Sequence, residues 1–327
     1  MARRALGPAT LAVAQAVDAA LLTTDRALLA ACSGGADSLA LAFAARHVAA
    51  RRDLPCAAVV VDHGLQPQSA EVAMRTRDVL VGLDITDVRV VRVQVDPASS
   101  RGPEAAAREA RYAALAEQAR VGAADGGTPA TVLLGHTRDD QAETVLLGLR
   151  RGSGTRSLAG MAPRVGHLVR PLLGLARRTT EAACTELGLT PWQDPHNTDP
   201  AFTRVRVRSR VLPVLEAEIG PGVAAALVRT AFLAREDADL LDALAADADP
   251  GTDTLACTAL TTLPAALRHR VLRRWLLARG ADDPALTHVL AVEALVLSWH
   301  GQRGVHVPGG TVRRQAGELL WQAVGRG

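Results

Sequence analysis

The stretch Leu28-Leu29-Ala30-Ala31-Cys32-Ser33-Gly34-Gly35-Ala36-Asp37-Ser38 runs from a short apolar segment through two glycines into an alanine- and leucine-rich segment. Ala27–Cys32 reads as a buried strand and Asp37–Arg52 as a helix. Glycines at such a junction let the backbone approach a ligand closely, and successive amides at a helix start form an anion site. Ser33 or Ser38 could equally act as a simple helix cap. No GKS or GKT is present, so a lysine-dependent phosphate loop is excluded, and GxGxxG does not occur at this junction.

Outward from that junction the chain alternates apolar runs with helical patterns. Cys56–Asp62 reads as a second strand, followed by a helix over Ser69–Leu83. Asp87–Val95 is a third strand before a helix over Pro103–Val121, whose proline suits a first helical position. Thr131–Gly135 is a fourth strand and Asp139–Leu149 a helix. Continuous apolar strands between helices predict an α/β fold, a doubly wound parallel sheet covered on both faces. Ligands of such sheets sit beyond the carboxyl ends of the strands, and each candidate motif follows a strand. The glycine- and serine-rich stretch 151–160 reads as a long, mobile loop. From about Val211 the pattern is helical through Gly280 and again over Pro284–Trp299, and the final segment reads as short strands joined by glycine turns. The expected division is 1–215 for the sheet domain and 216–327 for a smaller, mainly helical domain.

The segment after the fourth strand is Gly135-His136-Thr137-Arg138-Asp139-Asp140-Gln141-Ala142-Glu143-Thr144. On a helix Asp140, Glu143 and Thr144 share one face, with Asp139 near the amino end. This is either favourable capping with a solvated acidic face, or a group that holds Mg2+ or receives an ammonium and its proton. His63, in VDHG after the second strand, is either a packing residue or part of the same cleft. Arg108 and Arg111 stand about one turn apart beside Tyr112; they either form surface ion pairs or contact phosphate or a base.

Composition narrows the classes. A chain of 327 residues with 48% hydrophobic and 22% charged residues is folded and large enough for two domains. Aromatics are 2%, so the core is aliphatic and base stacking is not a major binding mode. There is no lysine, so every basic contact is an arginine fork and no lysine amine serves as nucleophile. The net charge of +3 divides unevenly, with 26 arginines against 21 acids in residues 1–210 and 11 against 13 in residues 211–327. Local patches for nucleic acid are allowed, but no global basic field. Cys32, Cys56, Cys184 and Cys257 form no CxxC pair, which argues against zinc, iron–sulfur or disulfide frameworks and for four buried thiols. The amino-terminal stretch reads as an amphipathic helix, and nothing of transmembrane length lacks charge.

SGGADS at a strand–helix junction resembles the pyrophosphate loop of N-type ATP pyrophosphatases (the PP-loop superfamily). That resemblance implies that Ser33, Gly34, Gly35, Ala36, Asp37 and Ser38, with His63 and Gly135, bind ATP. Asp37, and Asp140 with it, would hold Mg2+ against the leaving pyrophosphate. With VDHGL, PEAAAREARYAAL, GHTRDDQAETVLLGLRRGSGTRSLAGM, RPLL and WQDPHNTDPAFTRVRVRSRVLPVL in that order, residues 28–216 are similar to the tRNA(Ile)-lysidine synthetase family in its compact form. The family's reaction adenylates the wobble cytidine of a CAU-anticodon tRNA(Ile), after which L-lysine displaces AMP. By position, Asp139, Asp140 and Glu143 would serve lysine capture, amine deprotonation or magnesium, alongside Asp37 and Arg111 as catalytic groups. Arg108, Arg151, Arg204, Arg206 and Arg208 would meet tRNA or active-site phosphates. In TRVRVRSR the arginines fit either a strand or a mixed helical face. Val205 stands where the family pattern suggests asparagine. The resemblance further implies a cytoplasmic enzyme with no membrane contact, with a homodimer among the open assembly states. The second domain would read the tRNA body through Arg268, Arg270, Arg273, Arg274, Arg313 and Arg314, unless these form a solvated face.

Two rivals differ in testable features. A tRNA thiolase needs catalytic cysteines, and no CxxC pair exists here. A non-catalytic RNA-binding module would not need the intact Ser33–Ser38 loop together with Asp139, Asp140 and Glu143.

Overall fold

The computed structural model describes residues 5–64, 68–94, 102–122, 127–152 and 154–324, without the side chains of residues 103, 104 and 151. It divides into two compact units, Met1–Leu146 with Met161–Arg229 and Leu147–Gly160 with Thr230–Gly327.

In the first unit α1 (Pro8–Ala20), β1 (Leu28–Ala31), α2 (Ala36–Arg52), β2 (Cys56–Asp62), α3 (Ser69–Gly82), β3 (Asp87–Arg92), α4 (Pro103–Val121), β4 (Thr131–Leu134) and the start of α5 (Arg138–Arg151) follow the expected alternation. Two short strands, β5 (Arg164–Val165) and β6 (Leu168–Val169), precede α7 (Arg177–Glu186), and α8 (Thr203–Arg206) and α9 (Leu212–Glu218) follow it. The sheet order is β3-β2-β1-β4-β6-β5, with every pairing parallel except that of β5 with β6.

Apolar continuity in β1 has a direct cause. Leu28 and Ala30 point into a core shared with Val17 of α1, Leu41 and Ala45 of α2, and Ala183 of α7. Leu29 points the other way, to Leu115 and Ala119 of α4. Helices on both faces demand apolar residues on both. The chain winds outward from β1 to β3 and then returns to lay β4 on the other side of β1. That reversal opens a crevice past the carboxyl ends of β1 and β4. The first turn of α1 is held by Glu186, whose carboxylate accepts the N–H groups of Ala9 and Thr10 at 3.0 and 2.8 Å.

The second unit contains α6 (Thr155–Leu158), most of α10 (Val223–Ala248), β7 (Thr254–Ala256), α11 (Cys257–Thr261), α12 (Ala265–Ala278), α13 (Leu286–Leu297), β8 (Val305–Val307), β9 (Gly310–Gln315) and β10 (Glu318–Ala323). Its four strands form an antiparallel sheet in the order β7-β10-β9-β8, packed with Trp275, Leu272, Val292 and Leu295.

Three expectations change. The stretch read as helical through Gly280 is interrupted by β7, whose buried Leu255 pairs with Leu319 far along the chain, leaving no local period to reveal it. The stretch 151–160 is not a free loop: α5 runs to Arg151, α6 follows, and Arg156 pairs with Asp239 at 2.6 Å and with Asp242. Arg235 adds hydrogen bonds to the carbonyls of Ala159 and Gly160. Of the four free thiols, Cys32, Cys184 and Cys257 are buried, but Cys56 is only partly so. The TRVRVRSR segment takes the helical alternative, α8 continuing into a π turn over Val207–Val211. Among the described residues no single helix is long and apolar enough to cross a membrane.

Candidate active site

Everything of chemical interest in the first unit gathers at the β1–β4 crevice. A cavity of about 300 Å3 at the opposite edge, lined by Leu28, Pro55, Cys56 and Ala130, offers only Asp87 and Arg89 as charged groups, and they pair with each other.

The loop after β1 is shaped by Ser38. Its hydroxyl donates to the Gly35 carbonyl at 2.9 Å and accepts the Ser33 N–H at 3.1 Å. Gly34 has φ +85°, and a Cβ there would lie 2.5 Å from Thr76 Oγ1, so only glycine fits. Gly35 is the N-cap residue of α2, and no side chain caps that helix. The first amides of α2 are therefore left for an outside acceptor, with the positive end of the helix dipole behind them. Ser38 thus closes the loop from within and does not cap the helix. Gly135, after β4, lies against the main chain of α2: a Cβ there would come within 3.2 Å of the Asp37 carbonyl and Ser38 amide.

Asp37 of this loop is linked through Arg177 and Arg208 to three further carboxylates. Asp37, in the first turn of α2, accepts from Thr180 Oγ1 on one oxygen and from Arg177 Nε at 3.3 Å on the other. Asp140 accepts the Thr137 N–H and hydroxyl at 2.8 and 2.9 Å on Oδ2, and Arg177 and Arg208 at 2.7 and 3.3 Å on Oδ1. Asp139 accepts the Arg177 N–H at 2.8 Å and so caps α7. Glu143 is fully buried; Oε1 accepts from Arg208 Nε at 2.7 Å, while Oε2 has no partner among the described residues.

The environments split these acids. Burial pushes the Glu143 carboxyl up, against the Arg208 guanidinium. Burial likewise raises Asp37, opposed by Thr180 and Arg177. For Asp140 burial also pushes up, but the Arg177 charge and the Thr137 N–H prevail and hold it below the usual carboxylate range.

Opposite the acids lies a cationic cluster. The Arg108 and Arg111 guanidiniums sit 4.9 and 5.6 Å from the Tyr112 ring centre. The Tyr112 hydroxyl accepts from Arg108 at 3.1 Å and from the buried Arg170 at 3.4 Å. Burial depresses Arg108, and the charges of Arg111, Arg204 and Arg170 press on it further. None of these four arginines forms an ion pair among the described residues, and the Nε of both Arg111 and Arg170 is buried without a partner. His63 and His136 each keep a buried Nδ1 with no partner among the described residues. Burial, then the Arg111 charge, lowers His63. His136 drops to about 3 through burial and the Arg111, Arg170 and Arg108 charges, so its ring is neutral at physiological pH.

Asp37, Asp139, Asp140, Glu143 and Arg208 therefore come together, as do Arg108 and Arg111 around Tyr112, with the Arg204 charge acting on Arg108. Arg206 instead folds back onto its own segment, donating to the carbonyls of Pro200 and Ala201 at 2.6 and 2.7 Å. Arg151 ends α5 with its side chain outside the described residues. Arg177, Thr180, Thr137, Arg170 and His136 are members that spacing did not single out. Arg177 carried one signal: a cation at a helix start opposes the dipole, which calls for a compensating partner.

In the second unit Arg268 pairs with Glu293, Arg270 with Asp242, Arg273 with Asp283 and Arg274 with Asp249. Arg314 donates to the carbonyls of Leu295 and Val296.

A model of the PP-loop domain matches residues 9–215, and a model of the TilS substrate binding domain matches residues 255–320. The chain belongs to the tRNA(Ile)-lysidine synthase family. It is 52% identical over 302 residues to the tRNA(Ile)-lysidine synthase of Leifsonia xyli, covering 90% of this chain and 89% of that protein. The enzyme of Thermobifida fusca is 52% identical over 303 residues, with 90% and 91% covered, and that of Mycobacterium tuberculosis H37Rv is 53% identical over 290, with 86% and 84% covered. Among solved structures, a U34-tRNA thiolase from Methanococcus maripaludis superposes with a TM-score of 0.54 at 18% identity, covering 68% of this chain and 78% of that one, a likeness of fold. The lysidine synthase family thus supplies both the sheet unit and the carboxyl-terminal module found here.

Proposed function

We infer that this ligase activates the wobble cytidine of a CAU-anticodon tRNA(Ile) with ATP and then joins it to L-lysine, releasing pyrophosphate and AMP. The observation that carries this reading is the uncapped start of α2 beside an acid cluster that holds one buried, unpartnered carboxylate oxygen.

The free amides of α2 and the Ser33–Ser38 loop bind the outer phosphates of ATP, and the helix dipole favours the charge that develops as pyrophosphate leaves. Asp37 and Asp140 fit a divalent cation of the Mg2+ type, which takes one or two carboxylates and completes its shell with substrate phosphates and water. When bound, Mg2+ neutralises charge on the departing pyrophosphate. Arg108, Arg111, Arg170 and Arg204 bind the tRNA phosphates flanking the target base and hold that base at the crevice. Neutral His63 and His136 supply hydrogen bonds there without adding charge.

In the second step Glu143 receives the lysine amine. Oε2 is its open acceptor, and a carboxyl raised by burial is a better proton acceptor once ionised. Arg208 steadies Oε1, and Asp140 supplies a second negative charge to the ammonium. The module matched over 255–320 engages the tRNA body. Most of its arginines are already paired, so that contact rests on shape and on Arg313 more than on a broad basic face. The enzyme works in the cytoplasm, where its tRNA, ATP and lysine are found.

Incubation with ATP, labelled lysine and the isoleucine tRNA transcript should transfer label to RNA, and the methionine transcript with the same anticodon should remain unlabelled. Absence of transfer with the isoleucine transcript overturns the proposal.

A further inference from the structure

We propose that Arg177 is the resident counter-cation of the divalent-metal position and makes metal binding conditional on nucleotide. This rests on Asp37 and Asp140 being the metal carboxylates. Of their four oxygens, Asp37 Oδ1 is engaged by Thr180 and Asp140 Oδ2 by the Thr137 N–H and hydroxyl. The two oxygens left for a cation are those on which Arg177 sits, Asp37 Oδ2 at 3.3 Å and Asp140 Oδ1 at 2.7 Å, the second shared with Arg208 at 3.3 Å, so that Arg177 alone spans both carboxylates.

A guanidinium does not shed its proton, so Arg177 leaves these oxygens only by moving. A Mg2+-type ion needs short contacts to them in near-octahedral geometry and repels a cation in the same place. Occupancy is therefore exclusive. The main chain of Arg177 is fixed through its N–H on Asp139, which leaves the side chain as the part that changes position.

The cost of that displacement depends on what else is present. Without nucleotide, an expelled Arg177 gives up both of its ion pairs while still largely buried, its side chain being 21% exposed. A triphosphate changes this, because its oxygens accept the planar fork in charge-assisted hydrogen bonds. Nucleotide thus supplies Arg177 with a new partner and frees both carboxylates for the metal. Metal and nucleotide bind with positive coupling, and metal alone binds weakly.

The test is enzyme-bound Mn2+ measured by electron paramagnetic resonance, at a pH well above both carboxylates. Wild type, Arg177→Gln and the Arg177→Gln/Asp37→Asn double variant are titrated with and without a non-hydrolysable ATP analogue. Wild type should bind Mn2+ weakly alone and about tenfold or more tightly with the analogue. Arg177→Gln should bind Mn2+ alone about tenfold more tightly than wild type, and the added Asp37→Asn should remove that gain. Equal Mn2+ affinity of folded Arg177→Gln and wild type without nucleotide overturns the proposal. So does tight Mn2+ binding by wild type alone, an arm that decides the matter even where the variant does not fold. A different result, no Mn2+ bound by any protein even with the analogue, overturns the underlying assignment of Asp37 and Asp140.

Discussion

The two sides of the crevice hold opposite charges in opposite conditions. On one side, every carboxylate oxygen of Asp37, Asp140 and Glu143 except Glu143 Oε2 already meets an N–H or O–H of the chain. On the other, Arg108, Arg111 and Arg170 crowd round Tyr112, with the Arg204 charge acting on Arg108, and none of the four forms an ion pair among the described residues. Most acceptors of the acid side are already filled, so the proposed metal enters by exchange with Arg177 and the proposed lysine amine takes the one open oxygen, Glu143 Oε2. The arginine side is unbalanced, so its ligand enters by addition and relieves like-charge repulsion. His136 lies between them, touched electrostatically by Asp140 and by three of the arginines.

The largest effect expected from breaking this contrast is at Asp37. Asp37→Asn should lower tRNA-dependent ATP–pyrophosphate exchange by about 10²–10³-fold, since charge stabilisation at the leaving group is lost. Undiminished exchange would remove Asp37 from the nucleotide site.

A smaller, step-specific loss is expected at Glu143. Glu143→Gln should slow lysine transfer about 10–100-fold while sparing adenylation, as expected for loss of a proton acceptor. The carboxyl is raised by burial, so it protonates while pH is still above the ordinary glutamate value, and lysine transfer by the wild type should fall there first. Asp140, held low by Arg177, stays ionised further down. A pH profile of each half-reaction in single turnover checks both statements; equal loss of the two halves in Glu143→Gln would reassign the residue.

The smallest effect should come from the unbalanced side. Arg204→Ala should weaken tRNA binding by about tenfold or less and reduce the slope of log affinity against log salt by roughly 0.7–0.9, as for one phosphate contact. An unchanged slope would take Arg204 off the RNA backbone.

Much of this is legible in the amino-acid sequence. The strands β1, β2 and β4 are marked by apolar runs because each is buried on both faces, and the Ser33–Ser38 loop is marked by glycines that the backbone requires. Asp140 and Glu143 were visible as one helix face. Arg177 and Thr180 were not, because α7 reaches the crevice only after β6 has paired with β4, a long-range event that leaves no local period. The partial order of 151–160 was hidden for a similar reason: its stabilising partners, Asp239, Asp242 and Arg235, lie on α10. Val205 and Val207 alternate as in a strand, yet both are buried in a helical segment widened by a π turn.

Gly135 has a wider consequence. Where the main chain after β4 abuts that of Asp37 and Ser38 at 3.2 Å from a would-be Cβ, the width of the reaction chamber is dictated by peptide planes in contact. Any larger residue would act as a wedge, prising the phosphate cradle away from the acids. Side chains on α4 can then be exchanged without altering that aperture, so the surface facing the second substrate can change while the proposed triphosphate grip stays as it is.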